Sequence, residues 1–332
     1  MPSSPDNPHR QPKHDGDHTI RGATCLITGG AGFIGSHLAR RLTSLGAAVR
    51  VIDDLSSGHS DNLAGINAEI TRASILDAGA LNTAIEGCDY VFHHAAMVSV
   101  PESVGDPDGC LQANIVGTQR VLEAAKDAGV RRVIIASSAA VYGDEPSLPS
   151  KETDPTDCRS PYAAGKASGE TLASAFSHCY GLSTVSLRYF NIFGPRQDPK
   201  SPYAAVISAF ADRIIQGVEP TVNGDGSQTR DFTPVDNVVH ANLLAASHPG
   251  DHKGTVCNIG TGRSISLLDL LKAMGDSLGT TVEPTFGPPR AGDVMHSRAD
   301  ITNARAAIGY EPVKSFEDGI AETLTWAKDS SV

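Results

Sequence analysis

The chain of 332 residues lacks closely spaced cysteines, metal-binding histidine motifs and long apolar segments. Its six cysteines are scattered and form no C-x-x-C pair, so neither a zinc site nor a dense disulfide framework is indicated. No H-E-x-x-H motif occurs among the 12 histidines, and we expect no metal. No run reaches the roughly 18 apolar residues of a membrane-spanning helix, so we expect no membrane partner.

Basic residues are few, with 27 Lys and Arg against 38 Asp and Glu and a formal net charge of −11. Binding to nucleic acid requires cations that neutralise phosphates, so this balance argues against a nucleic-acid partner. It still permits a small anionic ligand held by a few local donors. Residues 1–19 are polar and lack the apolar core of a signal peptide, so we predict a disordered tail and expect a reducing cytosol as the setting.

Short apolar runs alternate with helical periods from about residue 20. Runs at 23–28, 48–52, 90–93 and 133–136 predict strands, and the helices between them indicate parallel β-α-β units. We therefore predict an α/β fold, a Rossmann-type doubly wound parallel sheet with a smaller C-terminal lobe. Its ligand should lie at the carboxyl ends of the strands.

A glycine-rich segment, TGGAGFIG at 28–35, follows the first predicted strand and opens a helix. Gly30, Gly32 and Gly35 match G-x-G-x-x-G, in which glycines let backbone N–H groups approach a pyrophosphate. Asp53 ends the second strand, where a carboxylate binds ribose hydroxyls and repels a 2′-phosphate. The pattern indicates NAD and disfavours NADP. The alternative is a glycine turn that only packs a strand against a helix.

Tyr162 and Lys166 lie four residues apart at the start of a predicted helix, which puts both side chains on one face. A nearby cation favours the phenolate, so we expect the pKa of Tyr162 to fall from about 10 toward neutrality. Ser137 and Ser138 end a strand upstream and offer a hydroxyl to the same site. Such a tyrosine can act as a general base on a sugar hydroxyl. The alternative is a solvated lysine and a serine in a turn.

The segments TGGAGFIG, SSAAVYG, YAAGK and LRYFNIFGPR together resemble the extended short-chain dehydrogenase/reductase family over nearly all of residues 20–330. Within it, the chain is most similar to the UDP-hexose 4-epimerases. SPYAAGK, GPRQDPKSPYAAVI and RDF resemble the UDP-N-acetylglucosamine 4-epimerases in particular. The resemblance implies NAD as cofactor, a UDP-sugar as substrate, and a homodimer paired through helices at 110–128 and 162–180.

The resemblance also implies roles for individual residues. It makes Ser138, Tyr162 and Lys166 catalytic. The cofactor-binding residues that it implies are Gly29, Gly32, Phe33, Ile34, Gly35, Asp53, Ser57, Gly58, Ser74, Ile75, His94, Ala95, Ala96, Asn114, Tyr162, Lys166 and Phe190. The substrate-binding residues that it implies are Ser99, Ser138, Asn191, Arg230, Arg290, Asp293 and Ser297.

Two positions bear on the reaction and the substrate. Sugar-nucleotide 4,6-dehydratases carry Asp-Glu after the catalytic serine and the uronate decarboxylases carry Glu, whereas this chain has Ala139 and Ala140. The resemblance therefore implies 4-epimerisation without elimination. Relatives restricted to plain hexoses carry a tyrosine at the position of Ser297, and a serine implies room for an N-acetyl group. Ser74 replaces the usual aspartate near the adenine, which implies weaker retention of NAD.

The implied domains are an NAD-binding domain at 20–190 with about 235–260, and a substrate-binding lobe at 191–234 and 261–330. Residues 286–293 are predicted to be a loop. Three alternatives stay open: a UDP-N-acetylhexosaminuronic acid 4-epimerase, another nucleotide-sugar oxidoreductase or dehydratase, and a dinucleotide-sensing protein without chemistry.

Overall fold

The secondary structure alternates between strands and helices through the first two thirds of the chain. The computed structural model describes residues 19–198, 206–289 and 294–330. Its strands are β1 (Thr24–Thr28), β2 (Ala48–Asp53), β3 (Ala68–Arg72), β4 (Tyr90–His93), β5 (Arg132–Ser138), β6 (Thr184–Tyr189), β7 (Ile192–Phe193), β8 (Thr221–Asn223), β9 (Thr229–Arg230), β10 (Thr233–Pro234), β11 (Lys253–Ile259), β12 (Ile265–Ser266) and β13 (Thr285–Gly287).

Helices connect these strands and cover the sheet. The α-helices are α1 (Phe33–Ser44), α2 (Ala78–Ile85), α3 (Val100–Gly105), α4 (Pro107–Leu111), α5 (Gly117–Asp127), α6 (Pro161–Tyr180), α7 (Val206–Ile215), α8 (Val235–Ser247), α9 (Leu267–Leu278), α10 (Thr302–Ile308) and α11 (Phe316–Ser330). Short 3-10 helices occupy Ser60–Leu63 and Ala139–Tyr142, and a π-helical turn, Gln112–Val116, joins α4 to α5.

Seven strands form one parallel sheet in the order β11-β6-β5-β4-β1-β2-β3. The chain builds outward from β1 to β3, then returns past β1 to β4 and builds the other half. The direction reverses between β1 and β4, and a crevice opens there beyond the carboxyl ends of the strands. The predicted α/β fold with a Rossmann-type doubly wound sheet is confirmed.

Apolar side chains cover both faces of this sheet. Successive side chains of a strand point to opposite faces, so Cys25 and Ile27 of β1 join one buried cluster and Leu26 joins the other. A third buried cluster lies in the second half of the chain, where the rings of Phe193 and Phe232 contact that of Phe316. The predicted division into two domains remains a prediction.

The structure differs from the sequence prediction in several places. Strands β3 and β6 were not expected. The single helix expected at 110–128 is interrupted by the π-helical turn, and the expected loop at 286–293 begins with β13, which pairs with β8. The expected tail at 1–19 falls almost entirely outside the described residues.

Candidate active site

The glycine-rich loop between β1 and α1 is packed too closely for side chains. A Cβ atom on Gly35 would lie 2.2 Å from the carbonyl oxygen of Gly29, and one on Gly29 would lie 2.6 Å from the backbone nitrogen of Ala95. Gly29 also has a φ of 70°, in the left-handed region that favours glycine. Gly32 caps α1 without a side-chain hydrogen bond, so the N–H groups of Phe33, Ile34 and Gly35 in the first turn suit an anion.

Asp53 lies beside this loop at the carboxyl end of β2. Its Oδ2 accepts a hydrogen bond from the backbone N–H of Ala31 at 2.8 Å, and its Oδ1 accepts one from Leu55 at 2.9 Å. Each carboxylate oxygen keeps a further lone pair for a ribose hydroxyl. Gly58 packs against Ala31, since a Cβ there would lie 2.9 Å from the Ala31 carbonyl carbon, and Ser57 is exposed next to it.

Ser74 and Ile75 follow β3 along the same rim of the crevice. The Oγ of Ser74 accepts a hydrogen bond from the backbone N–H of Leu76 at 3.3 Å. Ile75 is buried against Gly117, where a Cβ would lie 2.5 Å from its Cδ1. These positions fit an adenine pocket, with a neutral hydroxyl where a carboxylate is usual.

The segment after β4 forms the opposite rim. His94 stacks on Tyr189, with its Nε2 3.1 Å from the tyrosine hydroxyl, and burial lowers the pKa of His94 to about 4. Ala95 and Ala96 follow it. Asn114, in the π-helical turn, accepts from the N–H of Met97 at 2.8 Å and donates to its carbonyl at 3.0 Å. Both contacts fix this segment against the helix.

His93 is a residue that the sequence prediction missed. Its Nδ1 lies 2.8 Å from the hydroxyl of Thr28, and its Nε2 lies 2.9 Å from the hydroxyl of Thr118, which donates to the carbonyl of Asn114 at 2.7 Å. Burial lowers the pKa of His93 to about 3, so its imidazole is neutral. The histidine thereby connects the last residue of β1 to the π-helical turn.

Tyr162, Lys166 and Ser138 meet where α6 packs on β5. Ser160 caps α6 by accepting from the N–H of Ala163 at 3.2 Å, which fixes the first turn that carries Tyr162. Lys166 donates to the carbonyl of residue 136 at 2.8 Å, and its Nζ lies 5.9 Å from the centre of the Tyr162 ring. Ser138 and Tyr162 line the same cavity, and the Ser138 hydroxyl favours the ionised form of the Tyr162 phenol, which lowers its pKa.

The electrostatics of this group correct one prediction. Burial raises the pKa of Tyr162 above its usual value, and the Ser138 hydroxyl offsets only part of that rise. Burial also lowers the pKa of Lys166 to about 8. The expected fall in the pKa of Tyr162 is therefore wrong for this arrangement, because the ammonium contacts a backbone carbonyl and the phenol is desolvated.

A cavity of about 240 Å³ opens beside the tyrosine. Val100 and Tyr142 line it although neither was predicted, and Ser99 instead caps α3 by accepting from the N–H of Glu102 at 3.2 Å. The predicted residues Arg290 and Asp293 lie outside the described residues. The predicted residues that do line the cavity are Ser138, Tyr162, Phe190, Asn191, Arg230 and Ser297.

Other kinds of site find no support in the described part of the chain. Within it, no group of three His, Cys, Asp or Glu side chains could hold a metal ion. No helix there has the length and apolar character needed to cross a membrane. All six cysteines are free thiols.

Comparisons with known proteins agree with the site. Residues 25–260 match the model of the family described as "NAD dependent epimerase/dehydratase family". The chain is 40% identical to the UDP-glucose 4-epimerase of Mycolicibacterium smegmatis, over 92% of this chain and 99% of that protein.

Two solved structures show the same likeness. The UDP-N-acetylglucosamine 4-epimerase of Methanobrevibacter ruminantium, in complex with UDP-N-acetylmuramic acid, is 40% identical with a TM-score of 0.89, over 93% of this chain and 99% of that one. The UDP-glucose 4-epimerase of Thermus thermophilus, in complex with NAD, is 34% identical with a TM-score of 0.82, over 92% and 99%. The chain belongs to the NAD-dependent epimerase/dehydratase family, within the UDP-hexose 4-epimerase group of the extended short-chain dehydrogenases/reductases, and its cofactor is NAD.

Proposed function

We propose that this UDP-sugar 4-epimerase interconverts UDP-N-acetylglucosamine and UDP-N-acetylgalactosamine, and also accepts UDP-glucose and UDP-galactose. The observation that carries the proposal is Ser297, a small side chain in the wall of the cavity that also contains Tyr162. Ser297 is 8% exposed, and its backbone N–H is held by the carbonyl of Thr229 at 3.0 Å. A side chain so fixed leaves space for an acetamido group where a tyrosine would fill it.

Tyr162 is the proposed general base. In its phenolate form, Tyr162 takes the proton from the sugar 4-hydroxyl and becomes the phenol, while the Ser138 hydroxyl hydrogen-bonds to the same sugar oxygen. Lys166 supplies a positive charge near the ring, which favours the phenolate as the proton moves. NAD held by the glycine-rich loop and Asp53 would supply the reversible hydride chemistry at C4 of the sugar. The proposed cofactor contacts are the loop at 29–35, Asp53 and the rim residues described above.

The cavity also bears on whether the enzyme can eliminate a sugar hydroxyl. Ala139 and Ala140 line it next to Ser138, so the sequence position that carries an acid in dehydratases offers only methyl groups. Without a proton donor at that position, loss of a sugar hydroxyl is not assisted. Asn191 and Arg230 line the cavity and are the proposed contacts of the substrate diphosphate.

A homodimer is part of the proposal. Val104 on α3, Leu111 on α4 and Tyr180 at the end of α6 are apolar side chains exposed by 64%, 40% and 60%. Burying such groups against a second copy is favourable. Light scattering of the eluted protein should give twice the monomer mass.

Incubation with a panel of UDP-sugars, followed by NMR of the anomeric protons, tests the proposed substrate. UDP-N-acetylglucosamine should yield UDP-N-acetylgalactosamine with no net change in NADH absorbance. Turnover of plain hexoses alone would contradict the acetamido assignment. Accumulation of NADH, or of a 4-keto-6-deoxy sugar, would instead favour an oxidoreductase or a dehydratase.

A further inference from the structure

A buried ion pair lies directly behind the catalytic residues. Glu170 on α6 and Arg188 on β6 are 8% and 5% exposed at their side chains. The arginine makes two parallel hydrogen bonds to the carboxylate, Nε to Oε1 at 2.9 Å and Nη2 to Oε2 at 2.7 Å. Two charges removed from water cost free energy that an apolar pair of similar volume would not. Such a pair in the core therefore calls for a role besides stability.

Glu170 shares a helix face with the catalytic pair. Tyr162, Lys166 and Glu170 follow one another at intervals of four residues along α6. Three consecutive residues of β5 meet these three side chains. The carbonyl of residue 136 accepts a hydrogen bond from Lys166, and the hydroxyl of Ser137 donates one to Glu170. Ser138 lines the cavity with Tyr162 and acts on its phenol.

Arg188 completes this connection from the neighbouring strand. It is the register partner of Ser137 across β5 and β6, and both side chains donate to the same carboxylate. Its guanidinium also lies 4.8 Å from the ring centre of Tyr142, which lines the substrate cavity. The carboxylate of Glu170 thus joins β5 and β6 close to the residues that line the substrate cavity.

Glu170 also acts electrostatically on Lys166 and raises the pKa of its ammonium. The ionisable groups that act on the ammonium are His93 at the end of β4, His94 after it, Cys110 of α4, and Tyr162 and Glu170 of α6. Burial keeps both imidazoles, the thiol and the phenol neutral near pH 7, because it lowers the pKa values of the histidines and raises those of Cys110 and Tyr162. The carboxylate of the ion pair is left as the source of negative charge.

We propose that Glu170, with Arg188 as its counterion, is a positioning residue that anchors Ser137 and Ser138 and keeps a negative charge one helical turn from Lys166. The proposal rests on the proposed 4-epimerisation. Two separate effects are expected. The contact with Ser137 fixes the position of Ser138, and the charge of Glu170 stabilises the ammonium of Lys166. Removing the anion should make Lys166 lose its proton at lower pH, because a nearby opposite charge stabilises the ammonium.

Competitive labelling with acetic anhydride measures the electrostatic effect without any sugar. The rate of acetylation of Lys166, followed by mass spectrometry of its peptide over a range of pH, gives the pH at which the amine loses its proton. In Glu170→Gln this midpoint should move down by about one pH unit. It should stay in place in Ser137→Ala, and in Glu123→Gln, which removes an exposed carboxylate from α5.

Steady-state kinetics measure the geometric effect. Ser137→Ala should lower kcat about tenfold for UDP-sugars with little change in KM, because Ser138 loses its anchor. Glu170→Gln should also lower kcat about tenfold. The pH at which kcat falls on the alkaline side should decrease by the same amount as the labelling midpoint. A purely structural role would move neither the midpoint nor this pH.

The paired variant Glu170→Gln with Arg188→Met covers the case in which the single variant does not fold, because it leaves no unpaired buried charge. It should show a downward shift of the labelling midpoint that is smaller than that of Glu170→Gln, because the guanidinium cation is removed together with the anion. An unchanged Lys166 midpoint in folded Glu170→Gln or in the paired variant would overturn the electrostatic part. An unchanged kcat in Ser137→Ala would overturn the anchoring part. Failure of the protein to epimerise any UDP-sugar would refute the proposed function and leave the labelling result standing.

Discussion

Asp53 accepts a hydrogen bond from the backbone N–H of Ala31 at 2.8 Å, so the acid that ends β2 is tied to the phosphate-binding loop. A second bond, from Leu55 at 2.9 Å, fixes its other oxygen. The carboxylate cannot rotate away from a ligand in the crevice without breaking both bonds. In the proposed cofactor site, this fixed carboxylate would disfavour a phosphate on the adenosine ribose.

This contact predicts strong discrimination between cofactors. Protein stripped of nucleotide should bind NAD on the order of a hundredfold more tightly than NADP, because the 2′-phosphate would face a fixed like charge. Isothermal titration of both dinucleotides measures the ratio. Asp53→Asn should reduce the ratio of the NAD affinity to the NADP affinity. Equal affinities for the two dinucleotides in the wild type would refute the assignment of Asp53.

Ser74 predicts weak retention of NAD. A hydroxyl accepts a weaker hydrogen bond from the adenine amine than a carboxylate does, so Ser74→Asp should slow NAD dissociation by up to about tenfold. Stopped-flow release of NAD from both proteins tests this. Identical dissociation rates would show that Ser74 does not contact the adenine.

The close packing of the glycine loop predicts a local loss of stability. Gly35→Ala would place a Cβ 2.2 Å from the oxygen of Gly29, and relieving that overlap should cost about 1–3 kcal/mol and weaken NAD binding. Thermal unfolding with and without NAD measures both effects. Gly105→Ala is the matched control, because no atom lies within 4 Å of the added carbon. A Gly35→Ala protein as stable as that control would contradict the packing argument.

Tyr162→Phe tests the proposed base. The ring that contacts the cavity stays while the ionisable oxygen is lost, so kcat should fall roughly 10²–10⁴-fold. NAD and UDP-sugar should still bind with little change, which equilibrium titration can check. Retention of more than about a tenth of the wild-type kcat would assign the proton transfer to another group.

Ser297→Tyr tests the proposed substrate. The larger side chain would fill the space beside the sugar C2 substituent, so turnover of the acetamido sugars should be lost while UDP-glucose and UDP-galactose still react. Values of kcat/KM for all four sugars, measured with the wild type and with Ser297→Tyr, test this expectation. An unchanged value for UDP-N-acetylglucosamine, or equal losses on all four, would remove Ser297 from this role.

Elements that follow simple apolar patterns could be predicted from the sequence, and elements stabilised by tertiary contacts could not. Strand β4 has the predicted bounds, 90–93. Strand β6 carries Arg188 in a buried position, so its pattern does not resemble a core strand until the partner Glu170 is known. Strand β3 is an edge strand with exposed residues, and its pattern is correspondingly weak.

In the candidate site, too, the residues within sequence motifs could be predicted, and those that depend on tertiary contacts could not. The motifs placed Tyr162, Lys166 and Ser138 in one group, and the structure brings them together. His93 was missed because a lone histidine at the end of a strand has no spacing signal. Its partners, Thr28 and Thr118, are far away in the chain, so only the fold reveals the connection. The pKa of Tyr162 was misjudged because spacing along a helix says nothing about desolvation.

The neutral imidazole of His93 makes the fold sensitive to acid. An unfolded chain binds a proton at a histidine near pH 6.5, whereas burial lowers the pKa to about 3 for His93 and to about 4 for His94 and His37. Between those values the unfolded state holds more protons than the folded one, so the free energy of unfolding declines as the pH falls. The hydrogen bonds that join the end of β1 to the π-helical turn through His93 are thus intact near neutral pH and destabilise the fold in an acidic compartment.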